Sequence, residues 1–442
     1  MPAGPAKDVA YARKIGLFSA TMLVIGGIIG SGIFRNPAEV ANRVKTPFLI
    51  LLVWGMGAVI ALIGAFVFAE LGQRRPRVGG GYAYLREAFG PLAGFMYAWA
   101  LLLVMATGAI AAVAMTFAGY LASLLGLPES TQPALAGGAI VLLTLVNIVG
   151  VRPAAWTQNV FTLLKLAAIT GLVIAAFFLT TPLTGAATPA NPPGSVFLAL
   201  GAALVPVLFA FGGWQQTNFV AEEIISPERN LPRALILGVL GVVAAYLLVN
   251  VAYLRAMGPV ALAASTAPAA DTMAAIGGET GRRLIAAGIV ASTFGFLNLV
   301  ILVSPRVYQA MARDGLFFAS FAKLHPTWQT PVAAIVLQGA WAILLLSSKK
   351  YGELNDYVVF GDWIFFGLTA MALFVIRRHD GDRATPFRVP LHPWSTLAFV
   401  AAAIYVVLGS VVSNPGNALR GAGLLLLGIP IFLFWRRRAA RS

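Results

Sequence analysis

Two stretches of this chain set poor helix formers inside long apolar runs. "GGIIGSGIF" (Gly26 to Phe34) packs four glycines and a serine into nine residues, and "VLFAFGGWQQTN" (207–218) joins Gly212 and Gly213 to the polar run Gln215, Gln216, Thr217, Asn218. A glycine costs a helix interior about 1 kcal/mol relative to alanine, so both helices are expected to break. In apolar surroundings the chemistry of such breaks belongs to the backbone. A half-helix starting at Ser31 or Gly32 presents unpaired N–H groups and the positive end of its dipole, which suits a carboxylate. A half-helix ending near Ile25 to Ile28 leaves carbonyls, and with those of Phe209, Ala210 and Phe211 they suit an ammonium. Gly30 and its neighbours let a ligand approach without a Cβ in the way. One zwitterion would satisfy both sets of groups. The competing reading is helix packing, because Gly26 and Gly30 form a G-x-x-x-G; the second break and the density of small residues favour binding.

Charged residues within apolar runs are the next candidates. Lys165 lies several residues into one run, where an ionisable group is a functional site by default or snorkels to the interface. A lysine in an apolar cavity can lose its proton more readily, which makes proton coupling an open expectation. Arg35, Glu39 and Arg43 repeat at i, i+4 and are expected to form an ion-pair ladder facing an outer vestibule, with a gate as the sharper alternative. Glu70 is expected to pair with an arginine, and Glu222 and Glu223 to cap a helix end or pair with Arg229 and Arg233. Asp362 is left between lining a cavity and pairing near the outer side. Asn298 and Ser304 are candidates for a pathway or for interhelical hydrogen bonds, and Trp214 for packing. The chain has no cysteine, and its three histidines fall in expected loops. No metal or cofactor is therefore expected, and no disulfide-linked ancillary subunit. Acid–base catalysis would need close carboxylates or a histidine within the apolar runs, which argues against an enzyme. A channel would call for a charged or carbonyl ring.

The elements that position these residues follow from composition. The chain has 442 residues, 59% hydrophobic and 11% charged, against about 25% charged in soluble domains. A membrane span needs about 20 mainly apolar residues, and twelve such runs are expected at 15–43, 46–72, 90–122, 132–150, 157–180, 195–221, 234–256, 284–312, 331–348, 354–376, 394–412 and 419–435. The first is too long for a signal peptide and is read as retained. With the N-terminus inside, 21 lysines and arginines fall on the cytoplasmic side and 8 on the outer side, as the positive-inside rule requires. The net charge of +15 is thereby read as topology rather than as nucleic-acid binding. Both termini are expected in the cytoplasm, and alanine-, glycine- and arginine-rich usage suggests a bacterial inner membrane. The loop 72–91 is expected to hold an interfacial amphipathic helix, and 258–281 a short helix over the outer face. The breaks fall in the first and sixth spans, so each opens a group of five. Paired interruptions of this kind point to an inverted-repeat transporter.

These residues resemble the amino acid–polyamine–organocation superfamily, in particular its L-type amino acid transporter-like branch. "GGIIGSGIF" is similar to its first-span signature. "FAFGGWQQTNFVAEEIISPERNLPRAL" (209–235), "FAELGQRRPRVGGGYAYLREAFGPLAGF" (68–95), "NVFTLLKLAAI" (159–169) and "STFGFLNLVILVSPRVYQAMARDG" (292–315) match in family order. The resemblance implies an all-α LeuT-like fold within one transmembrane domain, 1–442. Broken helices 1 and 6 would open two inverted five-helix repeats (15–180 and 195–376), followed by two additional helices (394–435). It implies an amino acid substrate whose carboxylate meets the N–H groups of Ser31 and Gly32 and whose ammonium meets the carbonyls of Ile28, Phe209 and Gly212, beneath Phe209 as a lid. It also implies that Lys165 occupies the space sodium fills in coupled relatives, bridging spans 1 and 8. Gln215 stands where L-type relatives usually carry asparagine, and Arg35 where an apolar residue is usual. The expected function is sodium-independent transport of neutral L-amino acids by alternating access, by exchange or uniport, in a lipid membrane. A proton-coupled cationic amino acid or polyamine permease of the same fold is the runner-up; it would need an acidic residue at the pocket.

Overall fold

A computed structural model of the chain describes residues 11–180, 195–347, 351–381, 385–413 and 415–439. The first expected span is two helices, α1 (Leu17–Ile28) and α2 (Gly32–Val44), bent by 41° at the glycine-rich break. Next comes α3 (Pro47–Arg74), whose start is set by Thr46, which accepts the Leu49 N–H, and by Pro47 in the first turn. A short α4 (Gly81–Phe89) occupies the inner loop where an interfacial helix is expected. Helices α5 (Pro91–Leu125), α6 (Gln132–Ile148) and α7 (Val151–Phe178) follow. The second break separates α8 (Val196–Ala210) from the 3₁₀ segment Trp214–Glu223. Then come α9 (Pro227–Ala264), α10 (Pro268–Val303), α11 (Pro305–Arg313), α12 (Val332–Ser347), α13 (Tyr351–Asp380), α14 (Trp394–Ser413), α15 (Pro415–Leu426) and α16 (Gly428–Ala439). Non-helical backbone at Gly277 and Gly278 cuts the first turns of α10 into a separate short helix in the expected outer loop.

Among the described residues ten helices are long and apolar enough to cross a membrane, and the bent pair α1 and α2 makes eleven. The ninth expected span, 331–348, corresponds to α12, an apolar helix of which 16 residues are described. The expected outer loop 179–195 lies almost wholly outside the described residues.

Packing places the broken pair at the centre. Helix α1 packs on α7, α9 and α10, and α2 packs on α8 and α9. Gly26 allows this closeness to α7, because a Cβ there would sit 2.0 Å from Gln158 Nε2. The polar groups this buries are paired across helices. Asn298 donates to the Ala154 carbonyl and to Gln158 Oε1, and accepts from Asn147 at 3.1 Å. Asn298 thus serves an interhelical network, the second of its two expected roles. At the expected cytoplasmic ends of α3 and α13, Glu70 accepts from Arg74, from Arg377 and from the Val389 N–H, while Asp380 bridges Arg74 and Arg75. Three carboxylates, Glu87 included, face the guanidiniums of Arg74, Arg75 and Arg377 there, with the exposed Arg77 at the rim, so every buried charge of the cluster has an opposite partner.

Candidate functional site

The two breaks cross in the interior. The backbone of Gly213 lies so close to Gly27 that a Cβ on Gly213 would be 2.1 Å from the Gly27 carbonyl oxygen. Gly213 also has φ +112°, a conformation that side-chain-bearing residues rarely adopt. Gln215 holds this turn: its Oε1 accepts the Gly213 N–H at 3.0 Å.

A cavity opens at the crossing. Ile28, Gly30, Ser31, Gly32, Phe209, Ala210, Gly212 and Gln215 all line it, together with Phe219, Phe296, Ser304 and Gln216. Its volume, about 90 Å³, leaves room for several water-sized groups, since one water needs about 10–15 Å³. The N–H groups of Ser31 and Gly32 have no acceptor among the described residues, as expected of a helix start. They form a donor pair at the positive end of α2. Trp214 is packed against Phe366 and Phe399 and is fully buried.

The carbonyls differ from expectation. Ile28 O accepts both the Gly30 N–H at 2.9 Å and the Tyr246 hydroxyl at 3.1 Å, and these two bonds use both lone pairs. Tyr246 also lies 3.1 Å from Ala210 O, so this one phenol ties the two broken helices together. Phe209 O accepts the Gly212 N–H at 3.1 Å and is also approached by the Phe211 N–H at the end of α8. Nothing in the sequence marks Tyr246, which comes from the middle of an otherwise apolar stretch of α9.

Lys165 is fully buried, which removes the snorkelling alternative. Its Nζ donates to Gly26 O at 3.1 Å and Ile29 O at 2.6 Å. Ser292 of α10 donates to the same Ile29 oxygen at 3.4 Å. The ammonium therefore supports the end of α1 from behind and does not line the cavity.

A second, wider opening lies on the side expected to be outer, lined by Arg35, Asn36, Glu39, Arg43 and Phe209. Phe209 alone of the expected site residues borders both spaces. The i, i+4 ladder is only half formed. Glu39 pairs with Arg43, which also donates to Ala202 O, whereas Arg35 is exposed and makes no ion pair among the described residues. Toward the other side the cavity is closed. Glu223 pairs with Arg306 at 2.7 Å, both buried, and its carbonyl accepts the Lys14 and Ile15 N–H groups. Ile15 and Ile224 form an isolated parallel bridge. Glu222 accepts the Val78 N–H at 3.0 Å. Among the described residues neither glutamate pairs with Arg229 or Arg233, both of which are exposed. Beside it, Tyr82 donates to Asp314 at 2.7 Å. Burial, with the Asp314 carboxylate beside it, pushes the Tyr82 phenol above its ordinary range, so it remains a donor.

The wall facing the breaks comes from α5 and α13. Within α5, Leu101–Met105 winds as a π-helix, a form that recurs at functional sites, and Leu101 and Met105 line the cavity. Asp362, Trp363 and Phe366 line it from α13.

The chain matches the family described as "Amino acid permease" over residues 15–432. The large neutral amino acids transporter small subunit 2 of Mus musculus is 33% identical over 446 residues, covering 97% of this chain and 83% of that protein. The Asc-type amino acid transporter 1 of Mus musculus is 34% identical over 447 residues, with 97% and 83% covered. The serine/threonine exchanger SteT of Bacillus subtilis (strain 168) is 30% identical over 439 residues, with 98% and 99% covered.

Proposed function

The chain belongs to the amino acid permease family, and from that premise we propose that it carries neutral L-amino acids across a membrane by sodium-independent exchange. The observation that carries this reading is the cavity at the crossing of the two breaks, with the unpaired N–H groups of Ser31 and Gly32 on its wall. A substrate carboxylate accepts these donors, and its ammonium meets the carbonyls of Phe209 and Gly212. Phe209, between cavity and vestibule, closes over the bound molecule. The names of the mouse and Bacillus relatives support an amino acid as cargo and, for the Bacillus protein, exchange.

Lys165 takes the place a coupling cation would hold at the end of α1, which is the ground for sodium independence. The same ammonium is the candidate for any coupling to protons. The proposed frame is two inverted five-helix units, 15–180 and 195–376, followed by 394–435, with both termini in the cytoplasm of a bacterial cell. Uptake into proteoliposomes across the twenty amino acids, with and without sodium, a pH gradient and internal substrate, tests this. Saturable uptake of neutral amino acids, accelerated by internal substrate and indifferent to sodium, is expected. If no neutral amino acid binds or moves, the reading fails.

A further inference from the structure

Among the described residues Asp362 is the one carboxylate on the wall of the central cavity. It is half-buried, and among the described residues no hydrogen bond or ion pair reaches it. This sets it apart from Glu70, Glu223 and Asp380, each held by arginine. Its neighbours on the wall are apolar: Val358, Val359, Trp363 and, from the π-helical turn of α5, Met105. Gly361 brings α13 close to that turn, since a Cβ there would meet Met105 at 3.0 Å. Gln216, also on the cavity wall, has a buried Oε1 with no partner among the described residues. A buried acceptor without a partner is costly, and the half-buried Asp362 carboxylate on the same wall has none either, so the cavity suits a molecule that supplies donors. The α-ammonium of an amino acid is already assigned to the backbone carbonyls at the breaks. The cavity is small, about 90 Å³.

Resting on the reading of this cavity as an amino acid site, we propose that Asp362 is a specificity-determining residue that selects small amino acids carrying a hydrogen-bond donor on the side chain, the hydroxyl of a neutral amino acid or, beyond the neutral cargo proposed above, an ammonium. The carboxylate accepts that donor, and Gln216 offers the second acceptor. A purely apolar side chain of the same size leaves both unpaired. A site built around such a bond rejects the analogue lacking the donor far more strongly than an apolar pocket can reject an added hydroxyl.

The test is uptake of radiolabelled isosteric pairs into proteoliposomes: L-threonine against L-valine, and L-ornithine against L-norleucine. The donor-bearing member of at least one pair is expected to be favoured by roughly 10- to 150-fold, the range of a hydrogen bond to a charged group. Preference for threonine identifies a hydroxyl as the recognised donor, and preference for ornithine an ammonium. Asp362→Leu is expected to collapse the preferred ratio toward one. Asp362→Asn keeps an acceptor oxygen without the charge, so it retains part of a threonine preference and loses an ornithine preference; it also keeps the test sharp should the leucine variant fold poorly. Equal uptake within both pairs in the wild type, or an unchanged ratio in both variants, overturns the role of Asp362 while leaving amino acid transport standing. Absence of uptake for every amino acid overturns both.

Discussion

Lys165 Nζ spans the carbonyls of Gly26 and Ile29, and its removal leaves two buried acceptors at the broken end of α1 with weaker partners. Each such loss costs about 1–3 kcal/mol. Lys165→Met is therefore expected to lower the thermal unfolding temperature and to cut exchange at least about tenfold. Paired thermal-shift and uptake measurements check both, and wild-type exchange in a folded variant would remove the strut from the mechanism. Phe209 carries a different expectation. Because it borders cavity and vestibule but forms no part of the backbone crossing, Phe209→Ala should raise KM with little change in unfolding temperature, as read by concentration-dependent uptake. At this scale the sequence was legible where a residue is anomalous for its surroundings: a lysine in an apolar run, glycines in a helix. It was illegible where a residue is ordinary. Tyr246 and Arg306 act through partners far away along the chain, Ile28 and Glu223, and no local pattern encodes those distances.

The breaks themselves are set by glycines with distinct physical roles. Gly213 combines φ +112° with a backbone contact that admits no Cβ, whereas the Cβ of an alanine at Gly212 would make only an ordinary contact, 3.4 Å from Phe209 O. Gly213→Ala is expected to cost at least about 1–3 kcal/mol from backbone strain alone and to separate the two crossing segments. Gly212→Ala should leave the unfolding temperature near wild type. Thermal unfolding of the pair decides it, and equal stability would show that the crossing tolerates displacement. Both breaks were legible because glycine and a polar run interrupt the apolar pattern. The π-helical turn was not, since "LLLVM" (101–105) has the composition of any membrane helix. It packs against α13, a tertiary contact that the local sequence does not encode.

Across the whole molecule the cavity is asymmetric, with a vestibule beyond Phe209 and a closure of several layers opposite it. That closure contains the buried pair Glu223 and Arg306, and breaking such a pair from one side leaves an unpaired buried charge, at a cost of about 3–5 kcal/mol. Alternating access requires the closure to open in turn, so the pair weights the equilibrium between two states toward the one with this side shut. Glu223→Gln removes the charge and keeps the side chain's shape, and it should shift that weight. The chain contains no cysteine, so single cysteines report access cleanly. A thiol at Glu39, in the vestibule, should react with a membrane-impermeant maleimide from the outside in intact cells. A thiol at Arg77, which is exposed at the opposite end, should react only in inside-out vesicles, as the proposed orientation requires. A thiol at Ser304, on the cavity wall, should gain reactivity from the inside when Glu223→Gln is added. Labelling of position 77 from outside would reverse the proposed orientation. An unchanged inside rate at position 304 would mean that the Glu223–Arg306 pair holds the fold together without weighting the transport cycle.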